Sequence, residues 1–320
     1  MFKKVTAFLL CIVTAAGLTA CGSSAASDPS GQNSVASNLA EKSASQVSQT
    51  GKVNVSVSFN AMKELTKAVG GDKVNISVII PDGTEPHGYE PKAQDLIDLS
   101  RADVFVYNGF GMETWADKAV KSANNPKLIA VEASKGAKPI ADEDADEIKE
   151  YGQYDPHLWL SLKGAEIETK NIRDALVKAD AADKSYFDKN CKTFTGKLEN
   201  LFQEYNKKFK ETPHKSFVTG HAAFAYFCRD FGLTQNSVEN VFAEGEPSAK
   251  QLSQLIAYCK KNKVTTIFAE DMASPQVSKT LAEQVGAKVE TIHTMESSEG
   301  SKDYLERMQD NLEKIYNSLK

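Results

Sequence analysis

Hydrophobic and polar positions alternate or recur with a regular grammar from about residue 52 onward. "KVNVSVSF" (52–59) alternates and predicts a strand, and "AMKELTKAVGG" (61–71) predicts a helix stopped by Gly70 and Gly71. "NISVIIP" reads as a buried strand, "KAQDLIDLSRA" as a helix and "DVFVYNG" as a strand. "METWADKAVKSA" then reads as a helix and "KLIAVEA" as a strand. Strands alternating with helices predict a parallel sheet covered on both faces. Residues 181–211 break the pattern: Phe187, Cys191, Phe194, Leu198, Leu201, Tyr205 and Phe209 form one apolar stripe at steps of three and four. That stripe predicts a single helix of about 45 Å at 1.5 Å per residue.

The same grammar resumes after the long helix. "KSFVT" is a strand, "AAFAYFCRDFG" a helix, and "NSVENVFA" contains a strand. Ser248 caps "AKQLSQLIAYCKKN". "VTTIFAE" is a strand, "SPQVSKTLAEQVG" a helix, "AKVETIHTM" a strand and "DYLERMQDNLEKIYNSLK" a closing amphipathic helix. The fold class is therefore α/β, with two lobes that each hold a mostly parallel sheet flanked by helices, bridged by one long rigid helix. The expected boundaries are 53–180 for the N-terminal lobe, 181–211 for the connector and 212–320 for the C-terminal lobe.

The first fifty residues follow other rules. Lys3 and Lys4 precede the apolar stretch "VTAFLLCIVTAAGL", which ends in "LTAC" at Cys21. Basic residues, a short apolar run and small residues before a cysteine predict a signal peptide over residues 1–20. They resemble the lipobox of bacterial lipoproteins, which implies cleavage before Cys21 and lipidation of its sulfur. Residues 21–52 are rich in Ser and Ala without an apolar period, as in a flexible tether with a reach on the order of 30 Å. The expected location is the extracytoplasmic face of the cell membrane, held by the lipid.

Composition narrows the rest. Of 320 residues 41% are hydrophobic and 25% charged, enough for a sizeable core. A net charge of -5 gives no reason to expect a nucleic-acid partner. Cys191, Cys228 and Cys259 have no CxxC spacing and sit in apolar patterns, so buried free thiols are expected, with one disulfide left open. "ADEDADEIKE" (141–150) carries six acids against one lysine and predicts a mobile loop, with weak metal collection as its sharper reading.

Three of the five histidines sit alike. His87 follows the strand "NISVII" through a short turn, and His221 follows "KSFVT" by two residues. Both lie at carboxyl ends of strands, where open sheets bind ligands. His157 follows Asp155-Pro156, a turn that aims its side chain, with Asp155 expected to make an Asx-type turn. Trp159 is expected to be simple core packing, and Glu85 is a candidate partner for His87. Three neutral imidazoles with one oxygen suit zinc, and suit manganese less well.

Together "TEPHGYEPKAQDLIDLSRADVFVYNG", "DPHLWL", "VTGHAAFAYFCRDFGL", "GEPSAKQL", "IFAEDMASPQ" and "DYLERMQDNLEKI" resemble the zinc- and manganese-binding lipoproteins of bacterial ABC transporters. The resemblance covers almost all of residues 53–320. It implies a metal held between the lobes by His87, His157 and His221, with Glu296 as the fourth ligand. His293, Glu270, Asp271 or water compete for that fourth place. It also implies an ABC permease as partner, a divalent ion as cargo, a lipid anchor to the membrane and a monomeric carrier without enzymatic activity. The acidic stretch falls where zinc carriers often have a His-rich loop, yet it contains no histidine. A mononuclear zinc hydrolase and a surface adhesin are the competing readings. No HExxH or nucleophile motif supports the first, and no motif supports the second.

Overall fold

The computed structural model describes residues 51–142, 145–150, 152–241, 243, 248–270, 275–298 and 300–320. The expected signal peptide, Cys21 and nearly all of the expected tether lie outside the described residues. The first sheet is built from β1 (Val53–Val57), followed by α1 (Asn60–Gly70), β2 (Val74–Val78), α2 (Ala93–Leu99), β3 (Val104–Tyr107), α3 (Ala116–Ala123) and β4 (Ile129–Glu132). After β4 come α4 (Ala145–Glu150), α5 (Leu162–Ala179) and α6 (Lys184–Glu211). The second half runs β5 (Ser216–Thr219), α7 (Ala225–Phe231), β6 (Thr234–Ser237), α8 (Ala249–Asn262), β7 (Thr266–Glu270), α9 (Pro275–Val285), β8 (Lys288–Ile292) and α10 (Tyr304–Ser318).

Both sheets have four strands, all parallel, in the orders β2-β1-β3-β4 and β6-β5-β7-β8. The two halves thus share one topology, although the sequence carries no visible repeat. In each sheet the order reverses beside the first strand, and the crevice at such a switch point is where doubly wound sheets bind ligands.

The long helix α6 has 28 residues, about 42 Å. It buries Phe187, Cys191, Phe194, Leu198, Phe202, Tyr205 and Phe209. Phe202 replaces the expected Leu201 on the stripe because its ring stacks on Phe231 of α7 at 5.3 Å, leaving Leu201 half-buried. One continuous apolar core joins the first sheet, α5, α6, α10 and the near face of the second sheet. A smaller cluster, with Val218, Leu255, Cys259, Ile267 and Leu281, fills the far face of the second sheet. Cys191, Cys228 and Cys259 are buried and free. No helix among the described residues is long and apolar enough to cross a membrane.

Several elements depart from the sequence expectations. β2 is an edge strand with Asn75 and Ser77 exposed, and the buried Ile79 and Ile80 of the expected strand lie beyond its end. α3 starts at Ala116, four residues late, because the Glu113 carboxylate accepts the N–H groups of Asn108 and Gly109 and holds a turn there. β6 precedes most of "NSVENVFA" and is wholly polar, so no apolar alternation marks it. The acidic stretch is not simply a loop. Ala141 pairs antiparallel with Tyr154, and Ala145–Glu150 is helical, as its Ala, Glu and Lys content favours. The 18-residue α5 has buried Gly164, Glu168 and Thr169 among its apolar positions, which blurs its period. Gly164 is required: a Cβ there would sit 2.3 Å from the Leu158 carbonyl oxygen.

Glu168 of α5 is fully buried, and neither carboxyl oxygen has a hydrogen-bond partner. Burial, with the Glu113 charge adding, pushes it up to about 8. A raised acid binds its proton in the folded state when the unfolded chain has already lost it. Its effect on stability is therefore unfavourable as pH rises from about 4.5 to about 8. Glu168→Gln should melt within a degree or so of the parent at pH 5 and several degrees higher at pH 8, where each kcal/mol is worth about 2–4 °C. Thermal melts of both proteins across that range check it, and parallel curves would show that Glu168 is ionised in the fold.

Candidate metal centre

Each of the three expected histidines is delivered by a different local device. His87 sits in the segment after β2, inside a turn closed by Tyr89 N–H to the Pro86 carbonyl and just beyond one closed by Thr84 N–H to the Pro81 carbonyl. Glu85 accepts the backbone N–H of His87 at 3.2 Å, so its contribution is to the chain rather than to the ring. His157 stands at the base of a two-stranded ribbon. Asp142 N–H donates to the Gln153 carbonyl and Asp155 N–H to the Ile140 carbonyl. The next carbonyl, of Pro156, accepts the Asn108 amide at 2.8 Å. Leu158–Leu160, a single 3-10 turn with fully buried side chains, anchors the other side, and Trp159 packs on Phe59 at 4.9 Å between ring centres. His221 follows β5 and is held through its carbonyl, which accepts from Thr219 Oγ1 at 2.6 Å and from Gln235 Nε2 at 2.9 Å.

Carboxylates orient two of the rings. Asp155 Oδ1 accepts the His157 N–H at 2.8 Å, the expected Asx turn, and also lies 2.9 Å from His157 Nδ1. Glu270 Oε2 lies 2.8 Å from His221 Nδ1 and its carboxylate accepts the His221 backbone N–H. A carboxylate only accepts, so the proton of each neutral ring sits on Nδ1 and Nε2 presents a lone pair. Gly220 makes the approach of Glu270 feasible, since a Cβ there would be 2.7 Å from Oε2.

Glu296 lies on the loop after β8. Asn60, buried at the start of α1, donates to the carbonyls of Met295 and Ser297, one on each side of Glu296, at 3.2 and 3.0 Å. Gly83 N–H donates to Ser297 Oγ, Asp82 accepts the Ser298 N–H, and Trp159 Nε1 donates to the Thr294 carbonyl. Met295 adopts φ 62°, a left-handed conformation that a non-glycine residue enters only when its surroundings compel it. The loop is thus pinned to the N-terminal lobe.

His87, His157, His221 and Glu296 converge, each offering one ligand atom within 4.8 Å of the others, and all four are buried. Glu296 Oε1 is 3.5 Å from Nε2 of His87 and of His157 and 3.7 Å from Nε2 of His221. His157 Nε2 and His221 Nε2 are 3.2 Å apart. Burial holds His87 down at about 4 against the pull of Glu296. Burial opposes charge on the other two as well, but carboxylates overcome it. Asp155 and Glu296 raise His157, and Glu270 with Glu296 carries His221 up to about 10. Glu296 is held well below the usual carboxylate range because the imidazoles outweigh its burial. The pocket therefore has a potential that favours a positive charge at its centre.

The competing fourth positions fall elsewhere. Glu270 backs His221 from the Nδ1 side, and His293 lies 3.6 Å from Asp310 with its N–H donated to Asn311. Asp271 lies outside the described residues. Asn60, Thr294 and Gln235, which position the site, had no signal in the sequence because each is a lone polar residue in an ordinary context.

The family model described as "Zinc-uptake complex component A periplasmic" matches residues 55–318. The "High-affinity zinc uptake system protein ZnuA" of Bacillus subtilis (strain 168) is 36% identical over 282 residues, covering 84% of this chain and 88% of that protein. Among solved structures, a mutant of the laminin-binding adhesin Lmb from Streptococcus agalactiae superposes with TM-score 0.78 at 35% identity, over 84% of this chain and all of that one. The Zn(II)-bound ZnuA-like domain of Streptococcus pneumoniae AdcA gives TM-score 0.72 at 33% identity, over 84% and 99% of the two chains. With a matching family model over most of its length and relatives above 30% identity, the chain belongs to the ZnuA family of zinc-uptake components.

Proposed function

We propose that this chain is the extracytoplasmic zinc-binding component of an ABC importer, taking up zinc on His87, His157, His221 and Glu296 and delivering it to a membrane permease. The observation that carries the reading is the convergence of three imidazole nitrogens and one carboxylate oxygen in a buried pocket. Three nitrogens and one oxygen are a tetrahedral zinc set, whereas manganese prefers more and harder oxygen ligands. Zinc is the cargo here. The carboxylates behind His157 and His221 raise ligand basicity and fix ring orientation, so the protein need not reorganise to grip the ion.

A hydrolytic zinc site keeps a coordination place open for water. Glu296 closes that place, and the burial of all four groups leaves no room for a polymeric substrate to reach the ion, which favours carriage over catalysis. Lipidation at Cys21 and the serine-rich tether would keep the monomeric carrier beside its permease at the membrane surface.

Replacing any of His87, His157 or His221 by alanine should weaken zinc binding by about a hundredfold or more, beyond what losing an outer partner costs. His214→Ala should bind like the parent, because His214 sits before β5 with its N–H on the Leu319 carbonyl. Zinc competition titrations against a chelator measure both, and parental affinity in any of the first three removes that residue from the site. Asp155→Asn and Glu270→Gln should each cost about 10–100-fold while leaving stoichiometry at one zinc. Equal losses for these and for the alanine variants would mean that the carboxylates are themselves ligands. For the anchor, Cys21→Ser should move the protein from the membrane fraction of its native host to the soluble extracytoplasmic fraction, read by fractionation and immunoblot.

A further inference from the structure

The carboxylate of Glu296 is not symmetric in its surroundings. Oε1 is the oxygen nearest each of the three histidines, at 3.5 to 3.7 Å. Oε2 accepts a hydrogen bond from the Thr294 hydroxyl at 2.8 Å, within the ordinary range for an O–H donor. Both residues are buried, Thr294 at 1% and Glu296 at 4% exposure, so water does not compete for that bond.

The backbone around this pair cannot easily turn. The Thr294 carbonyl is held by Trp159, and the Met295 and Ser297 carbonyls by Asn60. Met295 between them is locked in the left-handed region. A carboxylate on such a loop keeps its side-chain rotations, and the Thr294 hydroxyl restrains the last of them, which sets which oxygen faces the histidines.

We infer that Thr294 is a specificity-determining positioning residue, which ties up Oε2 so that Glu296 meets the ion through one oxygen and the site stays four-coordinate. This rests on the assignment of Glu296 as the fourth ligand. The chemical consequence is selection by coordination number. Zinc is content with four tetrahedral ligands, while manganese is held well only when more oxygens are offered. A carboxylate free to bind through both oxygens would supply a fifth donor and narrow the difference between the two ions. The hydroxyl does this without touching the metal, from the side of the carboxylate opposite the histidines' nearest oxygen.

The test uses the mature protein, with zinc and manganese as the probes, in three forms: parent, Thr294→Val and Thr294→Ser. Valine keeps the shape and removes the donor, and serine keeps the donor. Zinc X-ray absorption on the parent should give a first shell of three nitrogens and one oxygen. T294V should gain a fifth light-atom ligand, and its zinc-to-manganese affinity ratio should fall on the order of tenfold, the usual scale of an outer-partner loss. T294S should keep the parental ratio. Folded T294V with an unchanged ratio and coordination number overturns the inference, as does a parent that is already five-coordinate. Equal losses of both metals in T294V would assign the hydroxyl to loop folding alone and also overturn it. If T294V does not fold, Thr294→Ala takes its place in the same measurements, and a parental ratio and coordination number there overturn the inference. Glu296→Ala separates the two claims: parental zinc affinity there sinks the ligand assignment itself. Weakened zinc in Glu296→Ala with a parental T294V sinks only the role of Thr294.

Discussion

Two imidazole nitrogens face each other at 3.2 Å, each with its proton drawn to a carboxylate on the far side of its ring. At that distance a proton or a metal ion must lie between the two nitrogens, since two bare lone pairs would repel. Much of the rest of the molecule serves to hold a pair of rings that calls for such a charge. Asp155 and Glu270 supply the electrostatics, and the ribbon and the β5 end supply the direction. The apolar core beneath, with Trp159, Phe59 and Leu160, keeps water from relaxing it.

The scaffold meets that demand with one topology used twice. The four converging side chains come from the loops after the carboxyl ends of β2, β5 and β8 and from the ribbon after β4. α6 spans both halves and contributes to a core that does not stop at a lobe boundary. Apolar burial on that scale, at about 25 cal/mol per Å², resists the wide separation of lobes seen in hinged binding proteins. A core of that kind leaves small displacements of individual loops as the motion that costs least.

The fold was legible in the sequence wherever apolar periodicity was strong. α6, α8, α10 and the strands β1, β3, β5 and β7 stand close to where the pattern puts them. It was illegible where polar residues face function instead of the core. β6 has no apolar alternation because Gln235 points its amide at the His221 carbonyl and Thr219. α5 hides its period behind Gly164, Glu168 and Thr169. At the site, His87 and His221 could be read from their places at strand ends and His157 from the Asp-Pro turn. Glu296 needed the family resemblance, since nothing in "IHTMESSEG" ranks one acid above its neighbours. Asn60 could not be read at all, because it acts on a loop 235 residues away.

The loop carrying Glu296 belongs by chain order to the second half, yet its hydrogen bonds run to Asn60, Asp82, Gly83 and Trp159 of the first. His87 and His157 belong to that same half, so three of the four converging groups share one anchorage. His221 alone is braced by the second sheet, through Glu270 and Gln235. A slight slide of that sheet would act first on His221 and only indirectly on His157, whose ribbon meets the second half through the Tyr226 hydroxyl on the Asp155 carbonyl. For an ion bound there, the order in which the four groups let go would then be written into which half of the chain braces each of them.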